Sequence, residues 1–267
     1  MHTALSYFQA GRADAGYKLL KSSVLDGMYL GDSPGNFGQI SFYDAARGEC
    51  YRDFGDPIGV ASRVLIQGLF GILPDALNQQ IILRPGFPDD WDKASVSTPD
   101  ISYRFTRKED TDTYHITQRF QTPLHPVLHV NARKEKIRSV KVNGVPATWQ
   151  SIESAHGYPL LSIQAEGTSS TTITIEWEGA PLHTLAVQEP VITSNGKLAL
   201  QIPSGASISQ VYDPQSVLAN HTVEATAFNA QIKGEPGHHT FFVYTHQGEM
   251  DWWQPVNIYI ENVRESP

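Results

Sequence analysis

The chain contains one cysteine, Cys50, in 267 residues. A single cysteine excludes a disulfide bond within the chain, and the surrounding GECYRDF does not resemble a catalytic thiol site, so we expect Cys50 to be structural. The sequence also has no apolar run near the roughly 20 residues that a membrane-spanning helix needs. Its N-terminal stretch lacks the basic start and continuous apolar core of a signal peptide. We therefore expect no membrane span in this chain.

Positive charge is scarce and is never clustered. The chain has 20 Lys and Arg against 28 Asp and Glu, which gives a formal net charge of −8. Nucleic-acid binding needs clustered Lys and Arg to neutralise phosphates, so no nucleic-acid partner is expected. A glycine-rich phosphate loop after a strand is also missing.

Two pairs of histidines lie close in sequence, but neither has the arrangement of a metal site. His238 and His239 are adjacent, and neighbouring residues of a strand point to opposite faces. His125 and His129 are four apart, but Pro126 precludes the regular helix on which that spacing binds zinc. We expect neither a metal nor a cofactor.

Apolar residues make up 40% of the chain, which is enough for a sizeable core. Near the N-terminus these apolar residues are spaced as in helices. Leu5 and Phe8 lie three apart, and similar spacing farther on predicts a helix over residues 3–22. A second helix is predicted to begin at Asp56 and Pro57, because Asp is a good N-cap and Pro suits the first helical position.

The second helix is predicted to end at two glycines. Gly68 and Gly71 bracket its apolar end, and Pro74 prevents its continuation. The following QQIILRP is predicted to form a short strand. The residues between the helices, 27–56, are dense in glycine and aromatic residues.

After Trp91 the apolar period changes from helical to two, which is typical of antiparallel strands. Asn143–Gly144 is the residue pair of a tight hairpin turn. The predicted fold class is therefore α+β, a helical hairpin followed by a mostly antiparallel β-sandwich. The predicted parts are 1–92, helical hairpin with an aromatic loop; 93–180, β-sandwich; and 181–267, further strands that complete or extend it. The predicted strands cover 101–108, 113–120, 126–132, 137–144, 159–166 and 171–179, and lie within LALQIP, SISQVYD, HTFFVYTH and VNIYIENV.

The stretch GLFGILPDALNQQIILRPGFPDDW resembles the junction between the last helix of an (α/α)6 barrel and a C-terminal β-sandwich in six-hairpin glycosidases. That group includes α-L-rhamnosidases and the cellobiose and maltose phosphorylases. YFQAGRADAGYKLLKSS resembles the helix before the junction, and SPGNFGQISFYDAARGECYRDFGDPIG resembles part of an uncharacterised family of large Bacteroidetes-type glycosidase-like proteins. The junction pattern is matched by Gly68, Leu69, Gly71, Ile72, Pro74, Asp75, Leu83, Pro85, Pro88 and Trp91.

The resemblance covers about residues 1–100 and implies the C-terminal portion of a glycoside hydrolase acting on a polysaccharide or oligosaccharide. This portion would contribute one side of the sugar pocket and a β-sandwich module. A complete barrel has many more helices than the two predicted here, so we expect the isolated chain to be inactive. The expected partners are carbohydrate and the upstream barrel of a parent protein, which would be periplasmic or extracellular if it is secreted.

In such barrels the loop into the last inner helix lines the pocket, and here it reads RDFGDP, from Arg52 to Pro57. It lacks the His of rhamnosidase-like members and the hydroxyls of the phosphorylases, which weighs against both activities and most against phosphorolysis. Glycoside hydrolysis needs two carboxyl groups about 5 to 9.5 Å apart. Glu49, Asp53 and Asp56 are close enough in sequence to supply them and are the candidate catalytic residues.

The same loop supplies candidate sugar-binding side chains. Aromatic rings stack on sugar faces, and Arg or Asn side chains bond hydroxyls. Structural roles are the alternatives: the aromatic residues can enter a core, Asp56 can cap its helix, and an Asn beside a Gly can serve a turn. The candidates are Asn36, Phe37, Tyr43, Arg52 and Phe54.

A noncatalytic carbohydrate-binding or structural module is the alternative function. Trp252 and Trp253 are adjacent, and such a pair either grips a sugar or packs between sheets. The second helix carries apolar residues on more than one face, so we expect self-association through residues 1–72 where no parent barrel covers them.

Overall fold

The computed structural model of the chain describes residues 1–25, 43–44, 49–50, 56–183 and 189–261. Short helices come first, and strands make up most of the remaining described residues. None of the helices in these ranges is long and apolar enough to span a bilayer. The helices are α1 His2–Gln9, α2 Ala13–Leu25, α3 Asp56–Arg63, a π-helix Val64–Leu69 and a 3-10 turn Ala76–Asn78. The strands are β1 Tyr43–Asp44, β2 Glu49–Cys50, β3 Ile72–Asp75, β4 Gln80–Leu83, β5 Lys93–Ser97, β6 Ile101–Lys108, β7 Thr111–Gln118, β8 His125–Asn131, β9 Lys134–Val142, β10 Val145–Pro146, β11 Gln150–Ser151, β12 Leu160–Gln164, β13 Ser170–Pro181, β14 Val191–Thr193, β15 Lys197–Gln201, β16 Ala206–Tyr212, β17 Leu218–Val223, β18 Ala227–Ile232, β19 Gly237–Gln247 and β20 Met250–Glu261.

The single N-terminal helix predicted over residues 3–22 is wrong, because the chain forms two helices there. The break falls at Gly11, whose φ is 73° and therefore lies outside the helical region. Apolar spacing on either side of the break is helical, so periodicity alone does not reveal it.

The prediction that a helix begins at Asp56 and ends at the glycines is confirmed. α3 starts at Asp56 and continues into the π-helix, which ends at Leu69. Gly71 has a φ of 65°, and a Cβ there would overlap the carbonyl oxygen of Arg84. Glycine is therefore required where the chain turns from the helix into β3.

Phe8 of α1 explains three other glycines. A Cβ at Gly16, Gly68 or Gly86 would lie 2.9, 2.7 or 2.5 Å from an atom of the Phe8 ring. Phe8 is buried, and the three glycines let α2, the π-helix and the segment after β4 approach its ring closely. Gly16, Gly68 and Gly86 therefore line one site for this ring, which we call the glycine seat.

The strands form four larger sheets and the short β1–β2 ladder. The six-stranded sheet has the order β10-β9-β13-β7-β6-β5, and the five-stranded sheet has the order β11-β12-β8-β4-β3. After residue 190 come a four-stranded sheet, β14-β20-β19-β16, and a three-stranded sheet, β15-β18-β17. The β6–β7 and β19–β20 hairpins are antiparallel, as predicted, whereas β4–β8 and β14–β20 are parallel.

Most predicted strands are confirmed, and β6 has the predicted bounds. Asn143 and Gly144 both have positive φ, 51° and 81°, in the turn between β9 and β10, as the hairpin prediction requires. The sequence interpretation missed several strands, among them the short β1, β2 and β11 and the longer β3, β5, β14, β17 and β18.

The chain divides into two compact units. The first unit comprises residues 1–130, 141–148 and 163–174, and the second comprises 131–140, 149–162 and 175–267. Strands β8, β9, β12 and β13 have residues in both units. The predicted boundaries near residues 92 and 180 remain a prediction.

Stacked aromatic rings form part of the core of the first unit. Phe87 stacks on Phe105 with ring centroids 5.0 Å apart, and Phe105 lies 5.2 Å from Tyr114. Phe70, which follows the π-helix, contacts Phe87 edge-on at 5.5 Å. Phe87 of the RPGF segment therefore packs between the end of the π-helix and β6, and Phe105 continues the contact to Tyr114 of β7.

The second unit contains a two-sheet sandwich. Its buried side chains come from both the four-stranded and the three-stranded sheet, and alternate residues of each strand supply them. In β19, for example, Phe241 and Val243 point inward whereas Phe242 and Tyr244 point outward. The core consists of Ile192, Leu198, Leu200, Ile202, Ala206, Ile208, Val217, Phe228, Ala230, Ile232, Phe241, Val243, Val256, Ile258 and Ile260.

Glu135 of β9 accepts hydrogen bonds from β13 and from the β19–β20 turn within the second unit. Its carboxylate accepts the N–H of Ala180 at 3.2 Å and the side-chain amide of Gln247 at 3.4 Å, and its carbonyl accepts the N–H of Glu249 at 2.7 Å. Gly248, with φ of 62°, lies directly against that carbonyl. The hydrogen bond from Ala180, followed by that from Gln247, lowers the pKa of Glu135 below its ordinary value.

A lowered pKa in the folded chain makes the contribution of Glu135 to stability depend on pH. The contribution is fully present above the unfolded pKa, roughly 4.3, and is lost as the pH falls through the lower folded pKa. We expect Glu135→Gln to lower the urea midpoint near pH 7 and to have a smaller effect near pH 3. Glu224→Gln, at an exposed position of the same unit, is the control. An equal effect of Glu135→Gln at both pH values would contradict the assignment.

Candidate functional site

The candidate site residues predicted from the loop lie largely outside the described residues. This holds for Asn36, Phe37, Arg52, Asp53 and Phe54.

The backbone is described at the other three candidates, and the structure brings two of them together. Tyr43 pairs with Cys50, and Asp44 pairs with Glu49, in the β1–β2 ladder, so Tyr43 and Glu49 lie on adjacent strands. Asp56 is the first residue of α3. The assignment of Glu49, Asp53 and Asp56 as catalytic carboxyls stays a prediction.

The adjacent tryptophans of MDWWQP face opposite sides of β20. Trp252 is fully buried, and its indole N–H donates to Oε1 of Gln254 at 3.2 Å. Trp253 is half-buried on the outer face of the four-stranded sheet. Trp252 therefore packs in the core, as one alternative states, whereas Trp253 is partly exposed on the sheet surface, and its binding of a sugar stays a prediction.

Trp253 belongs to a group of four outward-facing rings, Tyr212, Phe242, Tyr244 and Trp253, which we call the aromatic patch. Strand register brings them together, because Tyr212 pairs with Phe242 and Tyr244 pairs with Trp253. Ring centroids are 6.2 Å apart for Tyr212–Phe242, 6.4 Å for Tyr212–Trp253 and 5.0 Å for Tyr244–Trp253. Tyr212 is 58% exposed.

A segment of the second unit borders the aromatic patch at the edge of β20. The N–H of Trp253 donates to the carbonyl of Ala155, and the N–H of Gly157 donates to the carbonyl of Trp253, both at 2.9 Å. His156 forms a parallel bridge with Trp253. These bonds pair the backbone of Trp253 on the side of β20 that faces away from β19, so its backbone is hydrogen-bonded on both sides.

Carboxylates lie beside the aromatic patch. His246 Nδ1 lies 2.7 Å from Oδ1 of Asp251, the outward residue two positions before Trp253. Burial raises the pKa of the Tyr244 hydroxyl, and the negative charges of Asp251 and Glu153 raise it further. The patch therefore combines apolar ring surface with charged hydrogen-bond acceptors at its border.

The sequence interpretation missed Tyr212, Phe242 and Tyr244. The signal that could have found them is alternation: aromatic residues occupy the outward positions of SISQVYD, HTFFVYTH and MDWWQP once all three stretches are taken as paired strands. Across the part of the chain that the structure describes, no three His, Cys, Asp or Glu side chains are grouped as around a metal ion.

No protein-family model and no curated protein sequence matches this chain. Among solved structures, it is similar to an α-L-rhamnosidase from Dictyoglumus thermophilum, with 15% identity over 49% of this chain and a TM-score of 0.33. It is also similar to SGBP-B of the mixed-linkage glucan utilization locus of Bacteroides ovatus, with 8% identity over 64% of this chain, 63% of that chain and a TM-score of 0.24. The Ig1-2 module of the Drosophila receptor protein tyrosine phosphatase DLAR matches 57% of this chain and 91% of its own, with 10% identity and a TM-score of 0.20.

The chain spans only 15% of the length of the rhamnosidase. TM-scores of this size carry no argument about function.

Proposed function

We propose that this chain is a carbohydrate-binding module and that its second unit holds the sugar on the aromatic patch. The observation that carries the proposal is the juxtaposition of Tyr212, Phe242, Tyr244 and Trp253 on one outer sheet face. Noncatalytic carbohydrate binding is therefore the function that the described residues support best.

Ring surface is the first requirement for holding a sugar. One face of a pyranose ring presents C–H groups, which pack on an aromatic ring, and Tyr and Trp provide a large apolar area at small entropic cost because few torsions must be fixed. Tyr212 is more than half exposed. Its ring is held in place by Phe242 and by the edge-on contact with Trp253.

Hydrogen-bonding groups at the border are the second requirement. Sugar hydroxyls donate well to carboxylates, and such charge-assisted bonds are stronger than neutral ones. Asp251 lies at the border of the patch, and Glu153 is near enough to raise the pKa of Tyr244. Gln210 pairs with Tyr244 across the strands and is exposed, so it adds an amide on the opposite side.

Trp253→Ala is expected to weaken binding of a neutral polysaccharide about thirtyfold. Removing a central aromatic side chain at a binding surface costs about 2 kcal/mol, which corresponds to that factor. The measurement is affinity electrophoresis against glucan, mannan and xylan, followed by calorimetry on the best ligand. Trp91→Ala removes a half-buried tryptophan from the first unit and is expected to bind as the wild type does. Wild-type affinity in Trp253→Ala would overturn the proposal.

A second candidate function is a contribution to the sugar pocket of a glycoside hydrolase. The short β1–β2 ladder favours it, because it brings the strands of the candidates Glu49 and Tyr43 together just before the Arg52–Pro57 loop that the resemblance assigns to the pocket. Hydrolysis of an aryl glycoside that is lost in Asp53→Asn would distinguish this function from binding alone. If the chain has this second function, its proposed partner is the parent barrel or a second copy bound through residues 1–72. Leu19, Leu25 and Leu65 of the helices are partly exposed apolar side chains that such a partner could cover.

A further inference from the structure

The outer face that carries the aromatic patch continues along β19 and β20 to a second group of side chains. His238 pairs with Tyr259, and their rings meet edge-on with centroids 4.9 Å apart. His238 Nδ1 lies 2.7 Å from Oε1 of Glu189. This second group combines one aromatic ring with a histidine–carboxylate pair, as Trp253 is combined with the His246–Asp251 pair beside the patch.

Polar side chains fill the space between the two groups. Thr240 pairs with Asn257, and the Thr240 hydroxyl donates to Oδ1 of Asn257 at 2.8 Å. Pro255, which pairs with Phe242, is the outward residue next to the patch. The face is thus continuous from Trp253 to Tyr259 along alternate residues of β20.

The length of the face suits a chain of sugars. Trp253 and Tyr259 are six residues apart on β20, and at roughly 3.3 Å per residue their positions lie about 20 Å apart. A single monosaccharide cannot touch both ends. A ligand that uses both groups must therefore be extended and must lie along the strands.

The charge of the face favours an uncharged ligand. Strands β16, β19 and β20 contain no Lys or Arg. Carboxylates stand at both ends, Asp251 beside the patch and Glu189 beside His238. Uronic or sulfated sugars would meet like charge there, with only the histidines that already pair with these carboxylates as basic groups on the strands, whereas neutral hydroxyls find acceptors.

We propose that the ligand is a neutral polysaccharide chain lying along β19 and β20, held by the aromatic patch at one end and by a second subsite of His238, Tyr259 and Glu189 at the other. This inference rests on the proposed function, since it extends the same site. It adds the charge class of the ligand and its minimum length.

The test measures the affinity of the chain for two oligosaccharides, one of two and one of six sugar units. Both are made from the neutral polysaccharide that binds best. Tyr259→Ala is expected to weaken binding of the six-unit ligand about tenfold and to leave the two-unit ligand unchanged. Trp253→Ala is expected to weaken both. Tyr259→Phe keeps the ring and is expected to behave as the wild type. Asn229→Ala, on the three-stranded sheet, is the control for a surface change elsewhere in the unit.

The outcomes separate the two proposals. If Trp253→Ala weakens binding but Tyr259→Ala does not, or affects both lengths equally, the second subsite is wrong and the patch stands. Binding of polygalacturonate as strong as that of the neutral glycans would overturn the charge class. If the wild-type chain binds no glycan, both proposals fail. If Trp253→Ala leaves glycan binding unchanged and alters only self-association in sedimentation, both proposals also fail and the face is an interface between copies.

Discussion

Phe8→Ala is expected to destabilise the first unit by about 3–5 kcal/mol, the usual cost of truncating a buried phenylalanine. The ring is buried against three glycines that belong to different segments of the chain. Those glycines have no side chains that could move into the vacated volume, so a cavity would remain. The measurement is urea unfolding followed by circular dichroism.

Two glycine variants test whether the close approach of the glycines to the Phe8 ring stabilises the first unit. Gly86→Ala puts a Cβ 2.5 Å from the Phe8 ring and 2.9 Å from the carbonyl oxygen of Gly68, so it should also be strongly destabilising. Gly59→Ala is the matched control, because a Cβ there meets nothing within 4 Å. Equal unfolding midpoints for Gly86→Ala and Gly59→Ala would show that the glycine seat is not formed.

Adjacent phenylalanines of β19 are expected to give opposite results. Phe241 is fully buried and stacks on Phe228 with ring centroids 5.5 Å apart, whereas Phe242 faces outward in the aromatic patch. Phe241→Ala should therefore cost about 3–5 kcal/mol of unfolding free energy. Phe242→Ala should cost much less and should instead weaken glycan binding.

The comparison tests the strand register as well as the site. A shift of one residue would exchange the two faces of β19, and the two variants would then exchange their effects. Unfolding is measured in urea and binding by calorimetry on the same preparations. A large loss of stability in Phe242→Ala with little loss in Phe241→Ala would contradict the register on which the aromatic patch depends.

Local patterns in the sequence predicted much of the fold. Alternation predicted β6 at its observed bounds. Asn143–Gly144 predicted the turn between β9 and β10, and Asp56 predicted the start of α3. The break at Gly11 escaped prediction because both flanking helices keep helical spacing. Strands such as β17 escaped because they are largely exposed, so their residues do not alternate between apolar and polar.

The aromatic patch shows why a site on a sheet face is hard to predict. The strand predicted in this region was VNIYIENV, which begins at Val256, and a proline within a run of residues usually argues against a strand there. β20 in fact begins at Met250 and includes Pro255. Without that extension Trp253 has no cross-strand partner, although Tyr244 lies only one turn away on β19, and Tyr212 comes from β16, which is distant in sequence. Cross-strand pairing, which assembles the patch, is not readable from any one segment.

Nuclear magnetic resonance of the five tryptophan indole N–H groups, recorded during titration with a neutral six-unit oligosaccharide, would show whether the sugar lies on the aromatic patch. We expect the indole signal of Trp253 to shift with saturation, while the signals of Trp91 and of the buried Trp177 and Trp252 stay in place. A titration in which the chain binds the sugar but the Trp253 signal does not move, or in which Trp91 moves instead, would contradict the proposed site.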